Sequence, residues 1–436
     1  MTVANVNLWG RTIGAVSWDS DRALGHFEYT PEFTDSSIEV APLMMPLSDR
    51  IYSFPGLPRV TFHGLPGLLS DSLPDRFGNA LIDTWLAREG RSPASFNPVE
   101  RLCYTGTRGM GALEFTPSAG PSPKQARTID VQALVELASE ILTQRNRAQG
   151  SFATPDRENA LQDILRVGTS AGGARAKAII AWNPDSNTVR SGQVDAGKRF
   201  SYWLLKFDGV AGNRDKEMED PSGYGLIEYA YYLMAQAAGI HMSECRLLQE
   251  HGRNHFMTRR FDRTPEGHKL HMQSLCALQH YDFNRAGSYS YEQALRTMRS
   301  LGLPMAQIEE QYRRMAFNIV ARNQDDHVKN IAFLMDQSGN WSLSPAFDMT
   351  YSYNPTGRWT STHQMSLNGK RDDFTADDFT ACEKTIAMKR GRGLEILQEV
   401  QDAVSQWMEF ATAAGVPEGT AGQIAAVHRT AIYARA

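Results

Sequence analysis

A chain of 436 residues, 42% hydrophobic and 22% charged, has the composition of a soluble globular protein of two or three domains. Its net charge of −4 gives no general polyanion-binding face, which excludes tight, sequence-blind DNA binding by the chain alone.

Residues 1–120 are expected to form a small β-rich module. V-N-L-W-G-R-T-I-G-A-V-S-W-D alternates apolar and polar residues around Gly10 and Gly14, as a hairpin does. A helical pattern follows near Asn79–Arg88, and Ser118–Lys124 (S-A-G-P-S-P-K) is the clearest linker. Val131–Leu142 reads as an amphipathic helix that Thr128 or Asp130 would cap. Strand patterns cluster at Ala176–Trp182, Tyr202–Phe207 and His255–Asp262. Between the last two runs a long helical pattern, with Gly239 placed to end it. After about Leu275 the periodicity is mostly helical, so lobes of 121–273 and 274–436 are expected to follow the first module. Cys103, Cys245, Cys276 and Cys382 lie far apart, a pattern for free thiols in a reducing compartment. With no basic leader and no apolar run of membrane-spanning length, a cytoplasmic location is expected.

Three stretches could carry chemistry. Phe317–Asn330, F-N-I-V-A-R-N-Q-D-D-H-V-K-N, sets Asp325 before Asn330, and Asp348 follows a hairpin pattern that turns at Ser338-Gly339-Asn340. Protein-type kinases use that order: an aspartate orients the attacking hydroxyl, then an asparagine and a second aspartate hold magnesium. Lys329 could neutralise the transferring phosphoryl group. The spacing alone is near chance level, and a solvated loop rich in Asn and Asp explains it equally well. Asp326 with His327 could suggest a metal pair, but a histidine that orders the loop fits better, because no second histidine lies at ligand spacing.

V-G-T-S-A-G-G-A-R-A-K (Val167–Lys177) is glycine-rich and could cradle phosphates with its N–H groups. It matches neither standard nucleotide fingerprint, and by itself reads as a hairpin turn. Lys206, centred in Y-W-L-L-K-F, is costly to bury without an anionic partner, which ATP phosphates or Glu228 could supply. A strand lysine with its head in solvent is the plainer alternative.

Taken in order, these motifs resemble the HipA family of bacterial serine/threonine kinases, the toxin halves of HipBA toxin–antitoxin pairs. G-L-L-S-D-S-L-P-D-R-F-G (Gly67–Gly78) is similar to the family's N-terminal subdomain, and M-T-R-R-F-D-R to the strand before its hinge. The resemblance implies an α+β, two-lobed, protein-kinase-like fold with a β-rich N-terminal subdomain and a helical C-terminal lobe. It makes Asp325 similar to the catalytic aspartate and Asn330 and Asp348 to the Mg²⁺ ligands. Lys206, Lys177 and the backbone of Ala171, Gly172, Gly173 and Ala174 would serve ATP, and Ser274 to Cys276 would form the adenine-holding hinge. Ser170 occupies the position of the family's autophosphorylated serine, with Thr169 adjacent. Phosphate there would add about −1.5 to −2 charge and expel the loop from the nucleotide pocket.

The resemblance also implies a helix-turn-helix, HipB-like antitoxin that holds the kinase on operator DNA. It further implies a protein substrate such as an aminoacyl-tRNA synthetase. This chain departs from the family with Arg322 and Gln324 where Gly and Thr are common, and with a hinge, Q-S-L-C-A-L, that lacks acidic residues. Two other functions share the motifs: a non-catalytic kinase-fold scaffold in a DNA-bound repressor complex, and a small-molecule kinase.

Overall fold

The computed structural model describes residues 2–120, 128–143, 155–168, 175–210, 214–215, 218–219, 223–264 and 266–433. The chain divides into two compact units. The first comprises Met1–Ser222, Arg246–Met272 and Gln337–Gly339; the second comprises Gly223–Cys245, Gln273–Asp336 and Asn340–Ala436.

In the first unit, β1 (Thr2–Leu8), β2 (Arg11–Asp19), β3 (Leu24–Tyr29) and β4 (Leu113–Thr116) form an antiparallel sheet in the order β3-β2-β1-β4. Trp9 and Gly10 both have positive φ, 48° and 80°, which gives the β1–β2 turn the twist that tight hairpins need. Gly14 serves a different purpose: a Cβ there would lie 2.4 Å from the carbonyl oxygen of Glu28 in β3. Val6, Ile13, Val16 and Phe27 of these strands are fully buried.

A second sheet in this unit contains β5 (Lys177–Asn183), β6 (Thr188–Ser191) and β7 (Ser201–Lys206). A short pair, β8 (Arg214–Asp215) with β9 (Met218–Glu219), stands apart from it. With β10 (Cys245–Glu250) and β11 (Arg253–Arg259) the larger sheet runs β10-β11-β7-β5-β6. Helices Arg76–Arg88, Val131–Thr143 and Pro155–Val167 bury Phe77, Leu81, Leu134, Ala138, Leu161 and Ile164 in one core with Ile180, Leu205 and Met257 of the sheet. Asp130, not Thr128, caps the second of these helices, accepting from Ala133 N at 3.1 Å.

The expected strand His255–Asp262 starts two residues earlier and ends at Arg259. Its tail leaves the sheet for a buried charge cluster: Asp262 accepts from Arg260 Nε and Nη2 at 2.9 and 2.7 Å, from Arg263 Nη1 at 2.8 Å and from Gly111 N at 2.7 Å. The R-F-D-R motif therefore pins the Gly109–Gly111 segment to the end of β11.

β12 (His271–Ser274) carries the chain into the second unit. There β13 (Tyr289–Ser290) pairs in parallel with β16 (Met365–Ser366), and β14 (Ala332–Met335) with β15 (Trp341–Leu343) forms the expected hairpin. Helix Tyr224–Ala237 belongs to this unit, although its place in the sequence falls within 121–273. Packing explains the assignment. Tyr231, fully buried, donates to Ala321 O at 2.6 Å and stands 5.2 Å from the Trp407 ring. Helices Met305–Val320 and Arg392–Ser405 supply the core through Ile308, Phe317, Ile396 and Val400. No helix among the described residues is long and apolar enough to cross a membrane.

Candidate functional site

The segment Ala321–Asn330 leaves the buried helix Met305–Val320 and crosses to β14. Its two adjacent aspartates have opposite environments. The Asp326 side chain is 0% exposed, whereas that of Asp325 is 18% exposed. Asp326 Oδ2 accepts from the Tyr291 hydroxyl and from His363 Nδ1 at 2.8 Å, and Oδ1 accepts from Gln364 N at 2.7 Å. Burial works to raise the Asp326 pKa, but these hydrogen bonds prevail and hold it lowered. His363 is lowered too, by burial, which with the smaller push of the Arg429 and Arg322 charges outweighs the opposing charge and hydrogen bond of Asp326. Arg429 Nη1 lies 3.0 Å from His363 Nε2, so that nitrogen must accept. The neutral ring then carries its proton on Nδ1 and donates it to Asp326. Asp326 is the anchor of the loop.

Asp325 faces outward from this anchor. Its backbone carbonyl accepts from His327 N at 2.9 Å and from Asn330 Nδ2 at 3.0 Å, and Oδ1 accepts from Trp359 Nε1 at 2.7 Å. His327 caps the short helical turn Val328–Asn330, with Nε2 3.8 Å from Asp325 Oδ2 and its ring 5.4 Å from Phe283. Lys329 Nζ lies 5.3 Å from the centre of the Phe283 ring.

A chain of hydrogen bonds ties Asp348 to the same loop. Asn323 Nδ2 reaches Asp348 O at 3.4 Å and Asn318 Oδ1 at 2.9 Å, and Asn318 Nδ2 donates to the Tyr291 hydroxyl at 3.1 Å. Arg322 and Asp348 both adopt left-handed φ, 57° and 53°. Such strain in non-glycine residues persists only where the surroundings over-determine it, and here side-chain amides do so.

The donor set fits a hard divalent cation. Asn330 uses its amide nitrogen on Asp325 O, so its side-chain oxygen is the atom that would meet such an ion, and the Asp348 carboxylate would be the other ligand. No group of three or more His, Cys, Asp or Glu able to hold a metal occurs among the described residues. Magnesium bound with substrate phosphates needs only one or two protein oxygens, so the set is sufficient.

In the first unit, Lys177 and Lys206 are register partners on β5 and β7. Lys177 is 2% exposed and its Nζ lies 3.1 Å from Asp75 Oδ2. The same Asp75 caps helix Arg76–Arg88, accepting from Gly78 N at 2.6 Å. Lys177, expected to serve phosphate, thus already has a buried carboxylate partner within P-D-R-F-G. Lys206 Nζ lies 5.7 Å from the Phe256 ring centre. Glu228 sits on helix Tyr224–Ala237 of the second unit, 2% exposed. Thr169, Ser170, Ala171, Gly172, Gly173 and Ala174 lie outside the described residues.

The segment expected to be the hinge opens helix Leu275–Gln279, which Ser274 caps by accepting from Ala277 N at 3.2 Å. Leu275 N donates to Ile331 O at 2.8 Å, and Cys276 O accepts from Tyr281 N at 2.9 Å. Two of its main-chain groups are therefore engaged within the protein. Cys276, like the other three cysteines, is a buried free thiol.

Sequence reasoning missed Tyr291, His363, Gln364 and Trp359. None lies in a motif; the one available signal was Gln324, noted as a departure from the family, which reaches Thr360 O at 3.2 Å beside Trp359.

Residues 4–116 match the HipA N-terminal domain, and residues 169–408 match the HipA-like C-terminal domain. No curated protein matches in sequence. A chain of the Shewanella oneidensis MR-1 toxin–antitoxin complex of HipA, HipB and operator DNA is 16% identical, covering 98% of this chain and 95% of that one, with a TM-score of 0.67. The Helicobacter pylori proinflammatory kinase CtkA is 11% identical, covering 51% of this chain and 92% of its own, with a TM-score of 0.31.

Proposed function

This chain belongs to the HipA family, and from that premise we propose that it is an ATP-dependent serine/threonine protein kinase, the toxin of a toxin–antitoxin pair. The observation that carries the reading is the split between adjacent aspartates. Asp326 is consumed by structure, and Asp325 is held outward by Trp359 and by its own backbone bonds.

In the proposed reaction the acceptor hydroxyl gives its proton to the Asp325 carboxylate as its oxygen bonds to the γ-phosphorus. The bond from that phosphorus to the bridging oxygen breaks, and ADP leaves. Asn330 and Asp348 would hold Mg²⁺, which supplies charge neutralisation at the phosphates. Lys206 would bind phosphate, as would the segment containing Gly172 and Gly173. Ser170, or Thr169, would be the self-inactivating phosphorylation site.

A HipB-like helix-turn-helix antitoxin is the proposed partner, supported by the assembly of the Shewanella relative with HipB and operator DNA. The net charge of −4 favours DNA contact mainly through that antitoxin. The proposed substrate is a translation component such as an aminoacyl-tRNA synthetase, the acceptor class implied by the family resemblance. The test is quantitative phosphopeptide analysis of cells after induction of the wild type or Asp325→Asn. New phosphoserine or phosphothreonine sites with the wild type only are expected. Identical phosphopeptide sets would sink the proposal.

A further inference from the structure

Trp359 and its neighbour Thr360 are tied to the framework of the Asp325 loop at three points. Its indole N–H donates to Asp325 Oδ1 at 2.7 Å. Its main-chain carbonyl accepts from Gln364 Nε2, and the carbonyl of Thr360 accepts from Gln324 Nε2 at 3.2 Å. Both glutamines are buried, at 0% and 3% exposure. Each is also part of the loop's own framework: Gln324 precedes Asp325, while Gln364 N binds Asp326 Oδ1 and Gln364 Nε2 reaches Gln324 O at 3.2 Å. The surrounding turn closes on itself, with Asn354 N donating to Thr360 O at 3.2 Å and Gly357 N to Asn354 O at 3.1 Å. Pro355, Thr356 and Arg358 at its tip are exposed, so the turn is fixed at the indole end.

We propose that Trp359 is the positioning residue of Asp325 and that the amides of Gln324 and Gln364 lock it there. The proposal rests on the kinase reading. A carboxylate can rotate about its last torsion, and a fixed donor on Oδ1 restrains that rotation. The second oxygen then has one direction in which to meet an acceptor hydroxyl, which is what proton transfer in phosphoryl transfer requires. An indole suits the task because it donates but cannot accept, so it never competes for the proton. Buried amides suit the lock because each satisfies a carbonyl of the turn and thereby fixes its register. The departure of Gln324 from the family's usual residue is the sequence trace of this lock.

The test compares wild type, Trp359→Phe, Asp325→Asn and the double variant, with purified protein, MgATP and a generic protein acceptor. Trp359→Phe keeps the ring and removes only the donor. It is expected to lower kcat about ten-fold, the scale of one hydrogen bond to a charged group, at unchanged KM for ATP and unchanged Tm. The loss is expected to vanish in the residual rate of Asp325→Asn, about 10²–10⁴-fold below wild type, because a positioning residue has then nothing to position. An equal loss in both backgrounds, or none in either, overturns the proposal. If the wild type itself transfers no phosphate, the kinase reading falls and this inference falls with it. Wild-type turnover with an unaffected Trp359→Phe overturns the inference alone.

Discussion

Lys177 and Lys206 stand directly opposite each other across β5 and β7, so both side chains leave the same face of the sheet. Two like charges at that spacing repel, and the fold answers with Asp75, 3.1 Å from the Lys177 ammonium in a site where both side chains are at most 5% exposed. Under the proposed reading, the pair separates a structural lysine from the lysine that would bind nucleotide. Lys177→Met strands the Asp75 carboxylate and is expected to cost about 3–5 kcal/mol in stability. Lys206, less buried than Lys177, is expected on substitution by Met to cost less stability than Lys177→Met and to abolish the rise in Tm that MgATP produces. Thermal unfolding with and without MgATP reads both. Equal destabilisation by the two substitutions would contradict this division.

The adjacent aspartates of the loop are separable in the same way. Asp326→Asn leaves one acceptor oxygen for three donors, the Tyr291 hydroxyl and His363 Nδ1 on one side and Gln364 N on the other, and about 3 kcal/mol of stability should go with it. Asp325→Asn keeps an acceptor oxygen for the Trp359 indole and should unfold like the wild type while losing transfer. Urea titration beside a phosphotransfer assay distinguishes the two, and a Asp325→Asn protein with full activity would reverse the assignment.

Acid should destabilise the fold from near neutrality. Burial pushes His255, His271, His280 and His428 down to about 4, and His363 is lowered as well. Unfolded, each titrates near 6.5, so between pH 6.5 and 4 the unfolded chain binds more protons than the folded one. Stability therefore falls as pH falls through that window. Tm measured from pH 7.5 to 4.5 is expected to be flat above about 6.5 and to drop steadily below it. A Tm that held constant to pH 5 would show these rings to be protonated or solvated in the fold.

Much of the architecture was legible because it is local. The Trp9-Gly10 turn, the alternation of β1 and β2, and the hairpin at Gly339 all follow from neighbouring residues. Strand ends were less so, since Arg260 and Asp262 leave β11 for a charge cluster with Gly111, a partner 151 residues away. In the candidate site, Asp325, Asn330 and Asp348 were visible as a spaced motif, and the structure joins their loop to Asp348 through Asn323. What the motif could not reveal was which carboxylate is the anchor. That depends on His363, Tyr291 and Trp359, which reach the loop from distant turns with no periodicity to announce them. The ion pair of Lys177 with Asp75 was hidden for the same reason.

Incubation of the purified protein with Mg²⁺ and γ-labelled ATP, after phosphatase treatment, tests the central claim most directly. The wild type is expected to incorporate label on serine or threonine, and Asp325→Asn is expected to incorporate at most a trace of it, about 10²–10⁴-fold more slowly, while binding MgATP with wild-type affinity. Absence of label in dephosphorylated wild-type protein that binds MgATP would contradict the account, as would equal labelling of the two proteins.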